Sequence, residues 1–233
     1  MKRLICTVLL VFVALSLSRS VSAQIVDTPQ SRAMMGPSIV RLKSFVLSHP
    51  EPLVRERLYT WVDNGTVKFA PSVQLPEMVT SVEIMNGKKQ ILIWYNLDFL
   101  FRVPDIPTQA DKDWYLRLVL YHEAVHIDEH LSGRHVISSI VVTGPVSNEF
   151  LANEIWDTEW PAVSKEWVFA KKMGIRHLVP MIAMATLNGD NPRNFLQGFY
   201  ELQMSGNAIK ANPKIGPGLT ARYKLELAKL DKK

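Results

Sequence analysis

The segment Tyr121-His122-Glu123-Ala124-Val125-His126 constrains this chain more than any other. Its form is H-E-x-x-H. On an α-helix, residues i and i+4 lie one above the other on a single face, so both imidazoles can present a nitrogen to one point. Such a point suits a zinc ion, which takes imidazole ligands at about 2.0–2.1 Å. Glu123 stands beside the pair, where a carboxylate can take the proton of a water that the metal makes acidic. This chemistry needs a helix, and the flanking residues give one. Leu116, Val119, Leu120, Ala124, Ile127 and Leu131 recur at helical spacing and form the expected buried face. Thr108, with Asp111 three residues later, reads as the helix start, a capping box with Asp in place of Glu or Gln. Gly133 reads as its stop, so the expected helix spans residues 109–131.

A catalytic zinc takes three protein ligands and leaves a position open. Cysteine is excluded, because the chain's single cysteine is Cys6, near the N-terminus. His130 is excluded by geometry: eight residues beyond His122, it is carried about 12 Å along a helix axis at about 1.5 Å per residue. It reads as a polar residue near the helix end. Asp128 and Glu129 are carried around the helix. Further on, Glu149 and Glu154 are candidates. They are five residues apart, too poorly matched to a helical turn to aim at one point. Asp157 and Glu159 read as solvated helix carboxylates, the usual state of such residues.

The segment Asn148-Glu149-Phe150-Leu151-Ala152-Asn153 resembles the N-E-x-x-S-D pattern of the gluzincin, thermolysin-like branch of the zincin metallopeptidases. The Asn-Glu pair matches, Ala152 stands where the family has Ser, and Asn153 where it has Asp. The resemblance covers about residues 90–160 and implies Glu149 as the third ligand, with Glu154 as second choice. It also implies Asn153 as the group that orients a ligating imidazole, a role in which a neutral amide polarises the ring less than a carboxylate. The metzincin continuation is absent, since position 129 is Glu rather than Gly and position 132 is Ser rather than His. The fold implied is zincin-like α+β: a small antiparallel sheet packed on the H-E-x-x-H helix, then a mainly helical part from about residue 147. In that fold a sheet-edge strand runs near the metal and binds substrate in extended form, a place that Gln90 to Tyr95 would take.

Residues 1–23 read as a signal peptide. Lys2 and Arg3 precede an apolar run from Leu4 to Leu17, and Val21-Ser22-Ala23 has the small-x-small form of a cleavage site. The run is shorter than the roughly 20 residues that span a bilayer. The chain that remains, residues 24–233, is expected to be a single domain, soluble outside the cytoplasm, in a periplasm or the medium, and to have no membrane association. Losing Lys2, Arg3 and Arg19 reduces 27 basic residues to 24 against 22 acidic ones, too small and scattered an excess for a nucleic-acid partner.

Residues 24–37 read as a loose leader. Residues 38–63 read as two short helices broken at His49-Pro50, with apolar stripes Ile39, Leu42, Val46, Leu47 and Leu53, Leu58, Trp61, Val62. Residues 79–85 and 90–95 read as a hairpin around Asn86-Gly87. Residues 136–146 suit a strand or a buried connection. Helices are expected over 147–173, broken or kinked at Pro161, and over about 175–187, 192–204 and 217–231. Tyr95, His177, Arg193 and Tyr200 are candidates for stabilising an oxyanion, with nothing to choose among them.

The expected function is an exported zinc metallopeptidase acting on peptides or proteins, with Glu123 as general base. The alternative is a non-catalytic zinc-binding protein on a zincin-like frame, serving a structural or partner-binding role. A third reading is a protease restricted to one partner. The intact Glu123 favours catalysis, since a structural zinc usually has four protein ligands and needs no base. Oligomeric state is not legible.

Overall fold

A computed structural model of the chain describes residues 29–72, 78–85, 88–96, 106, 108–134, 147–179 and 191–232. The expected signal segment, the connection at 136–146 and the turn residues 86 and 87 lie outside them. The described residues fall into two compact units, which meet in sequence at residues 139 and 140. The class is α+β, a small sheet with mostly helical surroundings. Among the described residues no helix is long and apolar enough to cross a membrane.

The N-terminal unit begins with α1 (Pro29–Leu47). A π-helical segment (Leu53–Leu58) follows and runs on into α2 (Tyr59–Asp63). The break at His49-Pro50 falls where the sequence puts it, but α1 starts nine residues before the expected position 38 and runs through Pro37. The apolar period begins only at Ile39, so nothing in the pattern marks the earlier turns. The strands are β1 (Val67–Ser72), β2 (Met78–Met85) and β3 (Lys88–Asn96). β2 and β3 pair antiparallel, Val82 opposite Ile91, as a hairpin requires.

The expected purely antiparallel sheet is corrected to a mixed one. β1 pairs parallel with β3, Val67 opposite Ile91, and the order is β1-β3-β2. β1 was not legible because Val67-Lys68-Phe69-Ala70-Pro71-Ser72 is short and ends on a proline. Pro71 has no N–H to give a ladder, which suits the edge position that β1 holds. β3 is the central strand. Ile91, Leu92, Ile93 and Tyr95 are all buried, the apolar run of a strand covered on both faces. Both sides of its backbone are already paired, so the expectation that Gln90–Tyr95 binds substrate as an edge strand is also corrected.

The helix α3 (Gln109–Leu131) has the bounds that its sequence signals predict. The Thr108 hydroxyl accepts from the Asp111 N–H at 3.0 Å and donates to the Asp111 carboxylate at 2.7 Å. Gly133 follows with φ +69°, where a Cβ would be strained. Leu131 is exposed rather than buried. In its place Leu118 and Val125 are fully buried, so from Tyr115 to Asp128 the helix is covered almost all round.

Two side chains fasten the α1 end to α3. The Arg117 guanidinium donates to the Ser48 carbonyl at 3.0 Å and the Phe45 carbonyl at 3.4 Å, serving acceptors that the end of α1 leaves open. His49 uses both ring nitrogens: Nδ1 accepts from the Glu51 N–H at 3.1 Å, so Nε2 carries the proton and donates to the Arg117 carbonyl at 3.1 Å. Burial holds this imidazole at a pKa of about 4, against an ordinary 6.5. The unfolded chain therefore takes up a proton below pH 6.5 that the folded chain refuses until about pH 4. Stability is full above pH 6.5 and is lost as pH falls through that window. The expected loss is about 3 kcal/mol in urea unfolding between pH 7 and pH 4, and a His49→Asn variant should lose correspondingly less.

The C-terminal unit is helical throughout its described part. It comprises α4 (Asn148–Met173), a 3₁₀ turn (Arg176–Leu178), α5 (Pro192–Ser205), α6 (Asn207–Ala211), a second 3₁₀ turn (Pro213–Ile215) and α7 (Gly216–Leu230). Ser147 caps α4, its hydroxyl accepting from the Phe150 N–H at 3.1 Å, and Gly174 ends it at φ +72°. The expected break at Pro161 is not seen: α4 continues through it, although a proline inside a helix costs about 3 kcal/mol. Of the helix expected over 175–187, residues 176–178 form a 3₁₀ turn, and residues 180–187 lie outside the described ones.

What sustains α4 is an apolar stripe packed against α5. Trp156 meets Phe199 edge-on at 4.9 Å, Trp160 lies 5.0 Å from Phe199, and Trp167 stacks on Phe195 at 4.9 Å. Both α4 and α5 also pack on α7. Gly218 permits the α7 contact, since a Cβ there would come within 2.6 Å of the Ala152 Cβ. Gly218→Ala should therefore lower the thermal midpoint despite its better helix propensity, an overpacking loss of about 1–3 kcal/mol. Adding Ala152→Gly should recover part of it.

Candidate metal centre

His122 and His126 are both buried on α3, and their Nε2 atoms lie 3.0 Å apart. The rings are nearly perpendicular, at 78°, with centroids 4.7 Å apart. Two ligands of a tetrahedral ion with bonds of about 2.0–2.1 Å sit roughly 3.3 Å apart, so the pair needs little adjustment to share one ion. Glu123, between them in sequence, is buried as well.

The turns on either side of the pair are held. One residue before it, Tyr121 stacks on His49 with ring centroids 6.2 Å apart. Burial pushes the Tyr121 phenol above its ordinary pKa, and the Glu51 carboxylate adds to the shift. Two residues after the pair, buried Asp128 pairs with Arg134 at 2.7 Å and with Arg57, from the π-helical segment, at 2.5 Å. A carboxylate removed from water requires such partners.

The third member is Glu159 of α4. Among the described residues, His122, His126 and Glu159 form a group whose ligand atoms all lie within 4.8 Å of one another, all three residues buried. Two imidazole nitrogens and one carboxylate oxygen are a donor set that suits zinc and other divalent ions. The group could hold a metal ion.

Neither carboxylate considered from the sequence belongs to this group. Glu149 is exposed in the first turn of α4, where its Cα lies close to Gly218 of α7. Glu154 and Asn153 are half-buried further along the same helix. The expectation that Glu159 is solvated is corrected: it is 7% exposed. A signal for this was present in the sequence. Ala152, Ile155, Trp156, Ala162 and Val163 form the buried stripe of α4, and Glu159 falls in register within it. An acid on an apolar stripe demands a partner.

Of the four oxyanion candidates, three are engaged elsewhere. The Tyr95 hydroxyl bonds to Ser38 at 2.8 Å in the N-terminal core. Tyr200 stacks on Tyr223 at 4.5 Å and bonds to Thr220 at 3.0 Å. Arg193 pairs with Asp231 at the surface. His177 is exposed in the 3₁₀ turn.

Compared with known proteins, the chain matches no family model, no curated protein and no solved structure. Titration of the purified protein with zinc tests the ligand group directly. Glu159→Ala should weaken binding by about tenfold or more, whereas Glu149→Ala should leave it unchanged.

Proposed function

We propose that this protein is an exported, zinc-dependent metallopeptidase in which His122, His126 and Glu159 hold the metal and Glu123 is the general base. The observation that carries the reading is the buried imidazole pair at 3.0 Å, joined by one carboxylate rather than two, with a further buried acid beside it. Three ligands leave room for a reactant, as a catalytic site needs and a structural site does not. When bound, the metal supplies a Lewis acid that makes water acidic near neutral pH and polarises a carbonyl.

The chain's own residues then do the following. His122 and His126, fixed one helical turn apart, and Glu159 from α4 would hold the ion. The Glu123 carboxylate accepts a proton from the attacking water and returns it to the departing amine nitrogen. Burial of Glu123 keeps bulk water from competing for that proton. The H-E-x-x-H segment, His122 to His126, supports a peptidase, since it sets a general base beside a pair of metal ligands. The basic start, apolar run and small-x-small site of residues 1–23 support export. A peptide that adds to the sheet would use the outer side of β1 or β2, because β3 is paired on both sides.

Hydrolysis of a generic protein substrate tests the proposal. Glu123→Gln should lower the rate by about 10²–10⁴-fold with zinc stoichiometry unchanged. One equivalent of zinc with no hydrolysis by the unaltered protein would instead favour the non-catalytic reading.

A further inference from the structure

We infer that the C-terminal unit holds an internal water between Gln203 of α5 and Trp156 of α4. Gln203 is 1% exposed, yet among the described residues neither its amide nitrogen nor its amide oxygen has a hydrogen-bond partner. Trp156 is equally buried, and its indole Nε1 has no partner there either. A glutamine amide offers two N–H donors and an oxygen acceptor, and an indole offers one donor. Leaving such groups dry and unpaired costs free energy, and proteins relieve that cost with buried water.

The ring contacts bring the two residues to one level. Phe195 meets Trp167 and Trp160, while Phe199, one turn on, meets Trp160 and Trp156. Higher numbers on α5 thus face lower numbers on α4, and the two helices run antiparallel. Gln203 comes four residues after Phe199, on the same face of α5. It therefore lies beyond Phe199 on the Trp156 side, level with the turn of α4 that carries Ala152. The series of paired rings between α4 and α5 ends at Trp156, and the Gln203 amide takes the place of the next ring. Ala152 brings only a methyl group to this level, against Gly218 of α7. The start of α7 closes the same end, since Gly216 lies against Met204, the residue after Gln203.

The chemistry of the orphaned groups selects the ligand. They include both donors and an acceptor, and none is charged. A cation would satisfy the amide oxygen alone, and an anion the N–H groups alone. Water both accepts and donates, so one molecule can accept from the Trp156 indole and donate to the Gln203 oxygen. It continues the joint between α4 and α5 where the rings stop. Either residue alone would hold a water poorly, because a buried water needs two or more polar partners.

The experiment is nuclear magnetic resonance of the full chain labelled with nitrogen-15, with side-chain signals assigned through the backbone. In the unaltered protein, the Gln203 amide protons and the Trp156 indole proton should each show a cross-peak to water. The peaks should have opposite signs in laboratory-frame and rotating-frame Overhauser spectra, which marks a held water rather than proton exchange. Gln203→Met keeps the length of the side chain and removes its polar end, so the Trp156 cross-peak should be lost. Absence of the water cross-peak from either group in the unaltered protein overturns the inference, and that reading needs no variant to fold. A Trp156 cross-peak that Gln203→Met leaves unchanged overturns it as well.

Discussion

A helix buried almost all round, carrying two imidazoles and two carboxylates in its covered part, is the constraint on which the N-terminal unit depends. Burying such groups without partners costs several kcal/mol each. The unit supplies them. The two imidazoles meet each other at 3.0 Å, and Asp128 meets Arg57 and Arg134. Arg57, which the π-helical segment delivers, and Arg134 together pair the buried carboxylate near the end of α3. The sheet and α1 then serve as cover, fastened to α3 through Arg117 and His49.

The C-terminal unit solves a different problem. Its longest helix has a proline in its interior and acids along its length, yet stays continuous. Tryptophan and phenylalanine supply the compensation, since each large ring buried between α4 and α5 contributes more than a single lost hydrogen bond. Close approach of α7 at Gly218 completes the packing. In such a helix an acid on the buried stripe stands out. Glu159 is there, while Glu149 sits in the first turn, where a carboxylate suits the helix dipole and needs no metal to explain it.

The elements legible in advance were those whose signals are local. The bounds of α3 follow from Thr108, Asp111 and Gly133, and the pairing of β2 with β3 from Asn86-Gly87 between two β-branched runs. β1 was missed because its partner is β3, more than twenty residues away, and its own six residues carry no alternation long enough to read. The early turns of α1 were missed because their residues show no apolar period. The place of Glu159 in the buried group was not foreseen because a short sequence pattern was weighed above the burial register of the helix that contains it.

His122 and His126 share a helical face by the arithmetic of 3.6 residues per turn, and Glu123 lies next to it, whatever surrounds them. Sequence alone therefore determined that two imidazoles converge and that a carboxylate lies beside them. Which acid from the rest of the chain joins them is a matter of long-range packing. The choice among Glu149, Glu154 and Glu159 depends on which face of α4 is buried, and that is decided by Trp156, Trp160 and their partners on α5. Only the tertiary structure distinguishes Glu159, buried and within the group that could hold a metal ion, because side chains of equal chemistry differ there in nothing but position.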